Sequence, residues 1–207
     1  QTQNRKLSVV IPVLNEQRQI NELIDHLNCL RGRGLCEVIV VDGDCNGSTL
    51  AVIKDDSVRK LTSPPGRGSQ MNTGAAEARA DRILFLHADT RLPQGAVEKI
   101  IDTLDDERYV AGAFGLEIDS QRWIFKHIAA WAGRRSHKNR IPYGDQAIFI
   151  DKDYFDKIGG FRDIPLMEDV DLMRRIKRAG DEICILKERI LTSPRRWKTE
   201  GPVFTTM

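Results

Sequence analysis

The chain has 207 residues, 41% of them hydrophobic, with 32 basic and 30 acidic side chains and a formal net charge of +2. That content suits one domain with a buried core, and the near balance of charge gives no general case for nucleic acid as a partner. The four cysteines (Cys29, Cys36, Cys45, Cys184) form no C-x-x-C pair and read as reduced, mostly buried thiols of a cytoplasmic protein rather than a disulfide framework or zinc site.

Residues 7–13 (LSVVIPV) read as a strand buried on both faces, followed by Asn15-Glu16. Ile20, Leu23, Ile24, Leu27 and Leu30 recur at helical spacing, and Gly32 and Gly34 close that helix. Residues 37–41 predict a second strand, which runs into the turn-forming cluster Asp42-Gly43-Asp44-Cys45-Asn46-Gly47. A short helix and a weak strand near 58–61 follow. Pro64-Pro65-Gly66 then breaks the chain before a small-residue helix over 69–80. Residues 83–86 are an unbroken apolar run that stops at His87-Ala88-Asp89. Val97, Ile100, Ile101 and Leu104 then mark the apolar face of another helix. Strands alternating with helices in this rhythm predict parallel βαβ units with helices on both sheet faces.

Beyond Asp105 the pattern loosens. Residues 110–118 predict a strand interrupted at Gly112 and Gly115. Residues 123–132 predict an amphipathic helix, and 134–140 (RRSHKNR) a basic loop. A short strand over 146–150 leads into a helix ending at Gly159-Gly160. Met167-Glu168-Asp169-Val170-Asp171 opens a further helix with Leu172, Met173, Ile176 and Ala179 on its apolar face, stopped by Gly180. Residues 183–186 and 189–191 read as two final strands. No repeat or linker divides the chain, so the expectation is one domain over 1–207. Its first half (about 7–105) handles one ligand and its second half (about 106–201) another. No apolar run approaches the roughly 18 residues of a membrane span. The face formed by Trp123, Ile124, Phe125, Ile128 and Trp131 leaves peripheral membrane contact open, beside the alternative of buried packing.

Three first-half strands end in ligand-type residues: Asn15-Glu16, Asp42 and Asp89. Parallel strands bring such ends to one edge, where ligands of open α/β sheets sit. Taken singly, each is equally a turn or cap residue. A carboxylate at such an edge can hold a hard divalent cation. Arg67, in the glycine-flanked loop 66–72, could reach a phosphate or stack on a base. The loop matches neither G-x-x-x-x-G-K-S/T nor G-x-G-x-x-G, and the dinucleotide fingerprint is also missing after the first strand, which argues against a dehydrogenase. Glu168-Asp169 starts a helix, where the dipole favours the ionised carboxylate. Arg195-Arg196-Trp197 offers two guanidinium groups for a diphosphate and an indole face for a sugar.

In this order, these stretches resemble family 2 glycosyltransferases of the GT-A fold, over nearly the whole chain from Leu7 to about Gly201. The resemblance implies an α/β, mostly parallel, Rossmann-like sheet in a single domain. The wording LHADTRLP, PYGDQAIFI and IPLMEDVDLMRRIKRAG is similar to a bacterial subgroup, the radical-SAM/selenodomain-associated transferase 2 or arsenosugar-biosynthesis glycosyltransferases. Carried over by position, Pro12, Asn15, Glu16, Asp42, Arg67 and Asn72 would form the nucleotide-sugar site together with His87, Ala88 and Asp89. Asp89 matches the last aspartate of D-x-D, which binds the metal (Mn2+ or Mg2+) bridging the diphosphate. Asp169, beside Glu168, matches the catalytic base. Gly144, Asp145, Gln146, Arg195, Arg196 and Trp197 would face the acceptor and diphosphate.

The implied partners are a UDP- or GDP-linked sugar and an acceptor hydroxyl, with a homodimer left open. Three departures stand out. His87 replaces the first D-x-D aspartate, so strict metal dependence is in question; an imidazole there either tilts preference from magnesium toward manganese or bonds only to the ribose or backbone. The 42–49 turn lacks D-G-S-x-D-G-T, and Ser193 replaces the glutamine of Q-x-x-R-W. A non-catalytic nucleotide-sugar-binding protein on the same scaffold is the alternative that His87 keeps in view. A sugar-phosphate nucleotidyltransferase is the other; it would carry a glycine-rich loop where this chain has Pro12-Val13-Leu14-Asn15-Glu16.

Overall fold

Strand β1 (Leu7–Val13) is buried at every residue but Pro12, as its continuous apolar run requires, and it sits inside the sheet. It pairs in parallel with β2 (Cys36–Asp42) on one side and with β4 (Arg82–Phe85) on the other, while β3 (Arg59–Thr62) extends the sheet beyond β2. The structure, a computed structural model, describes residues 6–30, 36–118 and 141–193. The predicted helix 123–132, the loop 134–140 and Arg195-Arg196-Trp197 lie outside the described residues.

Four more strands complete the sheet: β5 (Thr90–Arg91), β6 (Tyr109–Ile118), β7 (Phe149–Asp151) and β8 (Glu182–Thr192). The order is β3-β2-β1-β4-β7-β6-β8-β5, with β7 and β5 antiparallel to their neighbours. β5 therefore sits at the edge of the sheet, although it follows β4 by only four residues. Four strand spacings span about 19 Å in a flat sheet, more than the roughly 17 Å that five extended Cα links cover. The sheet must curl. The bend is visible in β8, where Phe114 alone faces Leu186, Lys187 and Glu188 between the pairs Ala113–Ile185 and Gly115–Arg189.

Helices cover both faces. α1 (Ile20–Leu30) and α3 (Ala96–Leu104) bury Ile20, Leu23, Ile24, Leu27, Val97 and Ile100 against one face. α2 (Arg67–Ala76), α4 (Lys152–Lys157) and α5 (Glu168–Ala179) supply Met71, Ala75, Phe155, Leu172, Met173 and Ile176 to the other. Both cores draw on residues before and after 105, so the described residues form one folding unit. α2 starts two residues before the expected helix and ends four before it. Gly74 lets it lie close on the sheet, because a Cβ there would drive into Val10 and Val41.

Several expectations change. β6 is continuous rather than broken at its glycines, since the Phe149 ring fills the space a side chain at Gly112 would need. The two final strands are one bent strand, and Ala179 is exposed rather than part of the apolar face. The thiols are not mostly buried: Cys29 and Cys45 are exposed, and Cys36 and Cys184 half-buried. Among the described residues, no helix is long and apolar enough to cross a membrane.

Candidate active site

The register sets Val13 beside Asp42 and Val10 beside Phe85, so the carboxyl ends of β1, β2 and β4 share one edge. Asp42 is fully buried there. Its carboxylate accepts N–H bonds from Asp44 (3.0 Å) and Thr49 (2.9 Å), which fold the 42–49 turn around it. The Thr49 hydroxyl in turn accepts the Glu16 N–H at 3.2 Å, and Gln17 donates to the Ser48 hydroxyl at 3.0 Å. These bonds stitch the chain after β1 to the chain after β2. The Asp44 carboxyl is held below its ordinary range, chiefly by the Asn46 backbone N–H and then by Ser48.

A cleft of about 790 Å3 opens beside this turn, lined by Leu14, Asn15, Gly43, Cys45, Thr62 and Pro64. Gly43 and Cys45 face it; Asp42 stands behind them, shaping the turn. Gln70, absent from the sequence candidates, braces the cleft floor. Its amide donates to the carbonyls of Val13 (2.7 Å) and Val41 (2.9 Å), at the tips of both strands.

At the end of β4, His87 and Asp89 are half-buried and Ala88 is buried. The Asp89 carbonyl accepts the Ser193 N–H at 3.2 Å, so the end of β8 meets the loop that follows β4. A smaller cavity of about 230 Å3 adjoins it, with Asp89, Gln19, Glu22, Thr192 and Ser193 in its wall. The described residues hold no group of three or more His, Cys, Asp or Glu side chains that could hold a metal. A lone strand-tip carboxylate does not make a protein cage. It does fit a Mg2+ or Mn2+ ion that keeps waters and takes its other ligands from phosphate oxygens.

The second cluster forms at the start of α5. Glu168 and Asp169 are both buried, at 2% and 5% exposure. Glu168 is paired with the Arg67 guanidinium, whose side chain is 29% exposed. Arg67 is thus turned toward α5, because a buried carboxylate requires a cation. The Asp169 carboxylate accepts the Gly144 N–H and, at 2.8 Å, the Val170 N–H. Burial works against the charge of Arg67, but the bond to Glu168 and the fields of Glu168, Asp169 and Asp145 outweigh it and keep the guanidinium above its ordinary range. Gly144 and Asp145 therefore belong to this cluster. Gln146 does not face an acceptor: it is fully buried, donating to Phe114 O at 3.0 Å and accepting the Tyr143 N–H at 3.1 Å.

A loop, 158–161, locks α2 to α5. The Asn72 amide bonds both ways with the Phe161 backbone, at 2.8 and 2.9 Å, so its side chain is committed to this loop rather than to a nucleotide. Arg175, also absent from the sequence candidates, donates to Ile158 O at 2.6 Å and to Gly160 O, and pairs with Asp171 at 2.8 Å. Phe161 stacks edge-on against Phe85 with ring centroids 4.8 Å apart, tying the loop to the strand that carries Asp89. Among the described residues, the non-glycine positions with positive φ are Asn15 (59°), Ala147 (51°) and Met167 (66°). All three flank these clusters, the usual location of stored backbone strain.

The family model described as Glycosyl transferase family 2 matches residues 8–163. Among curated proteins, the chain is 25% identical over 218 residues to "Probable glycosyltransferase YdaM" of Bacillus subtilis (strain 168), covering 93% of this chain and 52% of that protein. It is 27% identical over 170 residues to the "Dolichol-phosphate mannosyltransferase" of Pyrococcus furiosus, covering 75% of this chain and 45% of that protein. The chain thus spans about half the length of these relatives. Among solved structures, S. aureus TarS 1-349 in complex with UDP-GlcNAc superposes with a TM-score of 0.71 at 16% identity, over 91% of this chain and 58% of that one. The mannosyltransferase PcManGT from Pyrobaculum calidifontis, in complex with GDP-Man and Mn2+, gives 0.69 at 17% identity, over 90% and 56%. These structural likenesses concern the fold, which is of the GT-A type.

Proposed function

Because the chain belongs to glycosyl transferase family 2, we propose that it moves a sugar from a UDP- or GDP-linked donor to an acceptor hydroxyl with inversion at the anomeric carbon. The observation that carries this reading is Asp169. It is 5% exposed at the start of a helix, with its carboxylate oriented by N–H groups from Gly144 and Val170. Two accepted bonds leave lone pairs for a third proton donor. In the proposed step, Asp169 takes the proton of the acceptor hydroxyl as that oxygen attacks the anomeric carbon and the bond to the diphosphate breaks on the opposite face. A single displacement needs one base and no covalent nucleophile. The first half of the chain is assigned to the donor and the second to the acceptor.

The cleft beside Gly43 and Cys45 suits the nucleoside, with Asn15 in its wall, Asp42 and Glu16 holding the turn beside it, and Pro12 assigned to the same site by the resemblance. Asp89, with His87 beside it, would hold a divalent ion, Mn2+ or Mg2+, which as a Lewis acid neutralises charge on the leaving diphosphate. Arg195, Arg196 and Trp197 are assigned to the same diphosphate by the resemblance of Ser193-Pro194-Arg195-Arg196-Trp197 to Q-x-x-R-W. The reading is of a cytoplasmic enzyme. The wording of LHADTRLP and PYGDQAIFI supports the radical-SAM/selenodomain-associated transferase 2 subgroup.

UDP-GlcNAc and GDP-Man, the ligands of the two structural neighbours, are the donors to try first in a hydrolysis screen. Calorimetry with UDP and with GDP, each with Mn2+, tests the donor side. Wild type should bind one of them in a metal-dependent way, and Asp89→Ala should weaken that binding about tenfold or more. Absence of metal-linked binding of any nucleotide would overturn the enzyme reading in favour of a different use of the scaffold.

A further inference from the structure

Glu168 poses an electrostatic problem that the assignment of Asp169 leaves open. Its side chain is 3% exposed, one residue before the base, and a carboxylate so buried stays charged only beside a partner. That partner is Arg67 Nε, from the first turn of α2 and 101 residues away in the chain. Among the described residues, the charges that act on this guanidinium include Glu168 and Asp169 on α5 and Asp145 on the 144–146 turn. Asp171, two residues on, is turned away and pairs with Arg175 at 2.8 Å and Arg162 at 3.5 Å. Asp145, Glu168 and Asp169 thus gather around one guanidinium.

The packing makes that contact hard to alter. Gly68, next to Arg67, lies against Arg162 O, Phe161 and Glu168, where a Cβ would come within 3.2 Å of the carbonyl. Asn72 and Arg175 clamp the same loop from α2 and α5. Arg67 is therefore carried on a helix locked to the helix that bears the base.

We propose that Arg67 is a positioning residue for the base, anchoring Glu168 and so fixing Asp169 at the start of α5, and that it is not a ligand of the nucleotide. The proposal rests on the reading of Asp169 as general base. Without the guanidinium, the clustered carboxylates repel one another and the first turn of α5 loses its anchor. Removing Glu168 as well relieves the excess negative charge.

The test follows hydrolysis of UDP-GlcNAc and GDP-Man, and UDP and GDP binding with Mn2+, in wild type, Arg67→Gln, Arg67→Lys and the double variant Arg67→Gln/Glu168→Gln. Arg67→Gln should lower kcat about 10- to 100-fold with nucleotide affinity within about twofold. The double variant should regain about tenfold in kcat. If Arg67→Gln does not fold, Arg67→Lys serves in its place: it keeps the charge but not the planar fork. Its kcat should fall with nucleotide affinity again within about twofold. Nucleotide affinity falling as far as kcat would overturn the proposal and return Arg67 to the donor site. Asp169→Asn in parallel separates the two readings. Retained turnover in it removes the base, whereas abolished turnover in it beside an unchanged kcat in Arg67→Gln removes the Arg67 assignment alone.

Discussion

At the tips of β1 and β2 the chain holds itself mainly by short-range bonds. Asp42 binds the N–H groups two and seven residues ahead, and the turn so formed is tied outward by the stitch to residues 16–17 and by Gln70, which bonds both strand tips. At the start of α5 the contacts reach across the chain. Asp169 is met by Gly144 from 25 residues away, Phe161 by Asn72 from 89, and Glu168 by Arg67 from 101. The proposed donor edge is thus built around a local turn, while the proposed base sits in a tertiary structure that exists only once α2, the 158–161 loop and α5 have met. The difference matters for function. A lesion at the first edge should change nucleotide binding and stability together, whereas one at the second should change catalysis with the donor still bound.

Three substitutions would break or sharpen that contrast. The largest effect is expected from Asp42→Ala, which strands the N–H groups of Asp44 and Thr49 around a buried space. The loss should be about 3 kcal/mol in urea unfolding, accompanied by loss of nucleotide binding. Gly144→Ala comes next. Its Cβ would lie 2.9 Å from Asp169 Oδ2, so the carboxylate must move. A displacement of that order should lower kcat about 100-fold while leaving UDP or GDP affinity unchanged. A matching loss of affinity would show that the two edges are not separable. The smallest effect belongs to Met167→Gly. Met167 is 40% exposed with φ at 66°, a left-handed conformation that costs a side-chain-bearing residue about 1 kcal/mol. Glycine removes that cost, so the melting temperature should hold or rise by a few degrees.

Much of the donor edge was legible in the sequence because β1, β2 and β4 are continuous apolar runs that stop at polar residues, and parallel pairing then fixes where Asp42 and Asp89 emerge. β5 was not legible, since two residues carry no period. β6 was expected to break because glycine reads as an interruption, yet Gly112 is there to admit the Phe149 ring. β8 read as two strands because the bulge at Leu186–Glu188 disturbs the alternation. At the base, Asp169 was legible as a helix-start carboxylate. Its company was not, for nothing in the sequence says which cation a buried glutamate 101 residues away will claim. The left-handed conformations of Ala147 and Met167 were equally silent, since neither residue type signals them.

The central claim is that Asp169 is the base and stands apart from donor binding. Asp169→Asn keeps the size of the side chain and one of its two accepted N–H bonds but removes its ability to take a proton. Measured side by side on the variant and wild type, sugar turnover should fall by about 1,000-fold or more, while UDP or GDP affinity in Mn2+ stays within about twofold. Turnover in Asp169→Asn at the wild-type rate would contradict the account.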